Sequence, residues 1–128
     1  MKKLTEAEEQ IMQVLWELGN AFVRDILPHL PDPKPAYNTV STIVRILEKK
    51  GIVGHRAFGK SHQYHPLVSK REYTRNFMSG IVKNYFGDSY PELVSFFTRD
   101  RKLSLSELEE IKALIMEEIQ KQKKEPHD

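Results

Sequence analysis

Ala36-Tyr37-Asn38-Thr39-Val40-Ser41-Thr42-Ile43-Val44-Arg45-Ile46-Leu47-Glu48-Lys49-Lys50-Gly51 is the stretch on which the reading of the whole chain depends. Val40, Ile43, Val44 and Leu47 recur at intervals of three and four, which predicts a helix with one apolar stripe to bury. Asn38, Ser41, Thr42, Arg45 and Lys49 recur at helical spacing on another side, with Thr39 beside them. A face turned only to water is usually rich in Glu, Lys and Gln, which form helices better than Asn, Ser and Thr. Short hydroxyl and amide groups around one long Arg suit a surface that must come close to phosphates and base edges. Gly51 after Lys49-Lys50 supplies the stop, with cations in the last turn where the helix dipole favours them. The stretch reads as a DNA recognition helix.

Downstream the period changes from helical to alternating. Ile52 to Phe58 and His62 to Leu67 read as two strands joined by Gly59-Lys60-Ser61, a hairpin. Arg56, Lys60 and His62 are placed on it to touch phosphate or the minor groove. Upstream, Leu4-Thr5-Glu6-Ala7-Glu8 has capping-box spacing and opens a first helix. Ile11, Leu15 and Leu18 give its buried stripe, widened by Val14 and Trp16, and Gly19-Asn20 ends it. Ala21-Phe22-Val23 suggests a short edge strand before a second helix from Arg24 to Leu30. Pro28 predicts that this helix is short or bent, because proline lacks an N–H and crowds the carbonyl four residues back. Pro31 to Pro35 is a stiff connector into the recognition helix. Two helices, a polar-faced third and a basic hairpin together spell a winged helix.

The charge distribution agrees. Lys34 to Lys70 holds seven bases and one acid, a local charge of +6 in a chain whose total is +2. A basic middle between mildly acidic flanks is the footprint of a polyanion-binding surface. There is no cysteine, which excludes disulfides, thiolate nucleophiles and Cys-ligated metals. Acids by Glu6 and the lack of an apolar run behind the first lysines argue against a signal peptide, and nothing reaches the length of a membrane span. The expected location is cytoplasmic, with no membrane insertion. No glycine-rich phosphate loop, serine nucleophile motif or His/Glu metal helix is present, so the chain is not read as an enzyme and no cofactor is expected. His62 and His65 lie three apart, so on a strand they face opposite sides and make a poor chelate; no metal is expected.

Beyond the hairpin, Ser69 to Glu72 opens a long helix with Tyr73, Phe77, Ile81 and Tyr85 along one side, broken at Gly87-Asp88. Ser89 to Glu92 opens a short helix that Leu93, Val94, Phe96 and Phe97 make apolar nearly all round. Ser104 to Glu107 opens another, with Leu108, Ile111, Ile115 and Ile119 at helical repeats, and Lys121 to Asp128 reads as a charged, frayed tail. So much apolar surface on short helices implies burial between chains as well as within one. The expected architecture is mainly α with a small β hairpin. Residues 1–68 form a winged helix-turn-helix DNA-binding domain and residues 69–128 a C-terminal helical dimerisation region. Its expected contacts are Tyr73, Phe77, Ile81, Leu93, Phe96, Phe97, Leu108, Ile111 and Ile115. A winged helix used for protein contact, and a regulator holding a small ligand between the aromatic C-terminal helices, are the alternatives.

The residues also resemble a known family. Leu4 to Glu8 with Ile11 to Trp16, Val23 to Ile26, Tyr37 to Thr42 with Leu47 to Gly51, Gln63 to Val68 and Leu103 to Leu108 resemble the penicillinase-repressor family of bacterial transcriptional regulators (BlaI/MecI/CopY type). The resemblance implies a homodimeric repressor that binds a double-stranded, inverted-repeat operator through the third helix and wing. It also implies relief of repression by proteolytic cleavage in the dimerisation region, after signalling by a membrane zinc-protease receptor that senses β-lactam. The family cut falls at an Asn-Phe bond; the matching region here is Ser95-Phe96-Phe97-Thr98, which puts the expected cut between Phe96 and Phe97. The family commonly has Arg followed by Leu late in the recognition helix, whereas Arg45 here precedes Ile46-Leu47, a rotation of roughly 100°. The copper-responsive branch uses C-terminal cysteines, which this chain lacks.

Overall fold

Helix α1 (Glu6–Leu18) starts where the sequence closes a reciprocal cap. The Glu8 amide donates to Thr5 Oγ1 at 3.2 Å and the Thr5 amide to Glu8 Oε1 at 2.8 Å. Gly19, at φ +83°, ends it in a conformation that side-chain-bearing residues resist. This computed structural model describes residues 3–100 and 103–126, so His127 and Asp128 at the end of the expected tail lie outside the described residues.

Asp25 accepts a hydrogen bond from the Phe22 amide at 2.9 Å and opens α2 (Val23–Ile26), which passes into a 3-10 turn over Leu27–His29. The shortening expected from Pro28 is therefore present, since a 3-10 turn accommodates the missing N–H. The expected edge strand contracts to one residue. Ala21 and Tyr64 exchange both backbone hydrogen bonds, at 2.9 and 2.7 Å, while Val23 is already helical.

α3 (Tyr37–Lys49) carries the recognition stretch. Val40, Val44 and Leu47 are fully buried, and Ile43 packs against the same core. Strands β1 (Val53–Phe58) and β2 (Ser61–Pro66) pair antiparallel from Val53 with Pro66 to Phe58 with Ser61. The loop is thus the two residues Gly59-Lys60 rather than three, with Gly59 at φ +63°, as tight hairpins require. Ile52 and Leu67 fall just outside the strands, where the Leu67 amide donates to the Ile52 carbonyl at 2.8 Å.

Two compact units divide the chain, residues 1–79 and 80–128. In the first, α1, α2, α3 and the hairpin close over Ile11, Met12, Leu15, Ile26 and the α3 stripe. Met12 is wholly buried where the sequence placed Leu18, which is 38% exposed near the end of α1. The division falls within α4 (Lys70–Tyr85), later than the 68/69 boundary expected. The cause is Tyr73 and Phe77. Tyr73 is buried against Trp16, with ring centroids 5.7 Å apart, and its hydroxyl donates to Glu9 Oε1 at 3.0 Å. Phe77 packs against that core. These two expected dimer contacts therefore belong to the packing of the first unit. Trp16 Nε1 also donates to the Val68 carbonyl at 2.9 Å, tying the exit of the hairpin to α1.

In the second unit Ser89 caps α5 (Tyr90–Arg99), with Pro91 in the first turn, and Ser104 and Glu107 close a reciprocal cap on α6 (Leu105–Lys124). Lys121 to Lys124 are helical, a correction to the frayed tail expected there; cations suit the last turn of a helix. Phe86 meets Phe96 edge-on at 5.6 Å. Ile81, Leu93, Leu108 and Ile111 are half-buried, whereas Phe96, Phe97, Leu114, Ile115, Met116 and Ile119 are exposed. No helix among the described residues is long and apolar enough to cross a membrane.

Candidate nucleic-acid interface

Burying one stripe of α3 turns the opposite one outward. Asn38, Thr39, Thr42, Arg45 and Lys49 are exposed, and Ser41 is half-buried beside them. The N-cap is Ala36, so Asn38 lies inside the first turn with its side chain free of capping duty. The Thr42 hydroxyl donates to the Asn38 carbonyl at 2.8 Å, which turns its oxygen lone pairs outward. Arg45 Nε donates to the Ser41 carbonyl at 3.4 Å, leaving the terminal nitrogens of its guanidinium for another acceptor.

α3 is fixed at its far end by two acids. Lys50 Nζ pairs with the buried Glu8 carboxylate, and His55 Nδ1 on β1 meets the Glu48 carboxylate. Burial pushes the Glu8 carboxyl up, but Lys50 and the Thr5 amide and hydroxyl outweigh it, so it stays ionised below the ordinary carboxylate range. Recognition helix, first helix and wing are thereby joined through side chains.

The expected wing residues do not share one face. Alternation along the paired strands puts His55 and His62 on the side of Tyr64, and Arg56 and Phe58 on the other. His55 and His62 stack with ring centroids 4.0 Å apart and planes 7° from parallel. Burial pushes the Tyr64 phenol up and Glu48 adds to this, with Arg45 opposing. Arg56 instead lies with its guanidinium 5.7 Å from the Phe58 ring. Lys60 sits at the exposed tip between the strands.

A cleft of about 230 Å³ separates α3 from the wing, and Ser41, Arg45, Lys60 and His62 all line it. Arg24 and Tyr37 line it too, and sequence reasoning missed both. Arg24 reaches the cleft from α2 by a path that only the tertiary packing creates. Its signal was faint: a base two residues after Phe22, over whose ring its guanidinium lies at 4.4 Å. Tyr37 is 54% exposed at the first position of α3, an aromatic with no core to enter. The stacked histidines were legible in principle, as a diagonal cross-strand pair, once the hairpin register is fixed. Among the described residues no group of three or more His, Cys, Asp or Glu is arranged to hold a metal.

A three-helix core with a hairpin turned back along a polar-faced third helix defines a winged helix-turn-helix protein. The profile of the family described as penicillinase repressor matches residues 4–117, and the chain belongs to that family. It is similar to the methicillin resistance regulatory protein MecI of Staphylococcus aureus, 23% identical over 114 residues, covering 88% of this chain and 93% of that protein. It is also similar to the penicillinase repressor of Bacillus licheniformis, 25% identical over 129 residues, covering 98% and 100%. A solved CopR repressor structure aligns with 53% of this chain and all of its own, at 30% identity and a TM-score of 0.44.

Proposed function

We propose that the chain is a sequence-specific transcriptional repressor that binds an inverted-repeat operator in double-stranded DNA as a homodimer. One observation carries the reading. α3 buries Val40, Val44 and Leu47 completely while Asn38, Thr42, Arg45 and Lys49 stand exposed beside a basic wing. Arg45 is the base-reading residue, suited to a guanine edge. Asn38, Thr39, Ser41, Thr42 and Lys49 are its neighbours on the groove-facing surface, and Arg56, Lys60 and His62 attach the wing to the backbone.

The second unit supplies the partner surface. Ile81, Leu93, Phe96, Phe97, Leu108, Ile111 and Ile115 are the contacts of the homodimer, because Phe96 and Phe97 on α5 and Ile115 on α6 are exposed, Ile111 and Leu108 lie half-buried one and two turns before Ile115, and such apolar surface needs a cover. Repression ends by cleavage between Phe96 and Phe97, downstream of a membrane zinc-protease receptor. Both residues lie inside α5, so a protease has to unwind that helix locally before cutting.

The test is a fluorescence-anisotropy titration of the full chain against duplexes tiled from its own upstream region and a scrambled duplex, at two salt concentrations. Tight, salt-sensitive binding to one palindromic tile with two protomers per site is the expected result. Equal, weak binding to every duplex would overturn the repressor reading and leave a winged helix used for protein contact.

A further inference from the structure

We infer that the cleft between α3 and the wing seats a DNA phosphodiester, and that Arg24 is one of its phosphate-binding residues. The inference rests on the DNA-binding reading above and adds to it a group from α2. Arg24, Arg45, Lys60 and His62 converge on the cleft with Tyr37, Ser41 and Ser61, and among the described residues no Asp or Glu lines it. Among the described residues neither Arg24, Arg45 nor Lys60 forms an ion pair. The adjacent Asp25 is not among the lining residues, and its carboxylate accepts the Phe22 amide. Three permanent cations around one space repel each other, and an anion between them offsets that cost.

Arg24 is also held in place. Its guanidinium lies 4.4 Å above the Phe22 ring, and Phe22 is braced edge-on by Phe58 at 5.8 Å. A cation fixed on an aromatic face loses little freedom when it gains a phosphate. The location fits the path of a duplex. A helix in the major groove and a wing toward the next minor groove are divided by one sugar-phosphate strand, and the cleft lies between those two elements. The same chemistry suits a free phosphate or pyrophosphate, so the test separates the two sources.

Two neutral variants are used, Arg24→Gln and Arg24→Met, the second keeping an apolar stem on Phe22. Affinity is measured for the operator duplex and an unrelated duplex across a salt series. Both variants are expected to weaken both duplexes by the same factor, roughly tenfold at low salt, the loss typical of one charge-assisted hydrogen bond. The slope of log affinity against log salt should fall by about one phosphate's share. Arg24→Lys should keep the slope. In a series of operators each bearing one methylphosphonate, the position that hurts the wild-type protein should cost the Arg24 variants nothing more. Unchanged affinity and slope in folded Arg24→Met, while Arg45→Ala still alters sequence preference, would sink this inference and leave the DNA-binding reading standing. A wild-type protein that binds no duplex removes both. Calorimetric binding of inorganic pyrophosphate that depends on Arg24, with the DNA slope unaffected, would reassign the cleft to a free anion and overturn the phosphodiester.

Discussion

Lys50 Nζ lies 2.7 Å from Glu8 Oε2, joining the C-terminal end of the recognition helix to the first turn of α1. The Glu8 side chain is 5% exposed and that of Lys50 34%, so one member of the pair is buried and the other reaches water along its stem. Glu8 therefore has two duties, closing the cap on Thr5 and anchoring α3.

Removing the lysine strands the acid. Lys50→Met should destabilise the protein by about 2 kcal/mol, short of the 3–5 expected for a fully buried pair because Lys50 is partly hydrated. Urea unfolding followed by circular dichroism measures it. An unchanged midpoint would mean that the Thr5 contacts alone hold the carboxylate.

The same carboxylate makes stability depend on acid. Its folded pKa is held below the ordinary value of 4.5, so the unfolded chain takes up a proton before the native one does. The stabilisation is complete above the ordinary carboxylate range and is lost as pH falls through it toward the folded value. Melting temperatures from about pH 6 downward should decline less steeply for Glu8→Gln than for the wild type, from a lower starting point. Parallel curves would show that other carboxylates set the acid limb.

Arg45 and Lys60 are expected to fail differently. Arg45→Ala should lower operator affinity by about 1–3 kcal/mol and flatten sequence preference, as loss of a base contact does. Lys60→Ala should weaken every duplex alike and reduce the salt slope. Intact preference in Arg45→Ala would show that another residue of α3 reads the bases.

Ile115, 46% exposed midway along α6, tests the homodimer. Ile115→Glu should turn the protein into a monomer in sedimentation equilibrium without lowering the melting temperature of the first unit. Operator affinity should drop by far more than any single phosphate contact explains, since two half-sites no longer act together. A dimer that survives the charge would place the contact on another face.

Much of this was legible before any coordinates. The α3 stripe, the caps at Thr5, Ser89 and Ser104 and the Pro28 distortion each depend on residues within one or two turns of each other. Local spacing encodes such features directly. What escaped was set by contacts across elements. Tyr73 has the same helical spacing whether it meets a second chain or Trp16, and only the path of α4 decides. Met12 displaces Leu18 because the core lies nearer the middle of α1 than its end. Arg24 joins Arg45 at one cleft only after α2 and α3 are packed.

The paired hydrogen bonds between Ala21 and Tyr64 make the wing a cantilever. Its root is clamped at Tyr64, and the beam runs out to a glycine-lysine tip. Bending stiffness should therefore fall steadily toward Lys60. The amides of Ala21 and Tyr64 should exchange with deuterium as slowly as the core, whereas those near Gly59 exchange fast. A wing built this way moves at its free end while its root keeps a constant distance from the first unit's core.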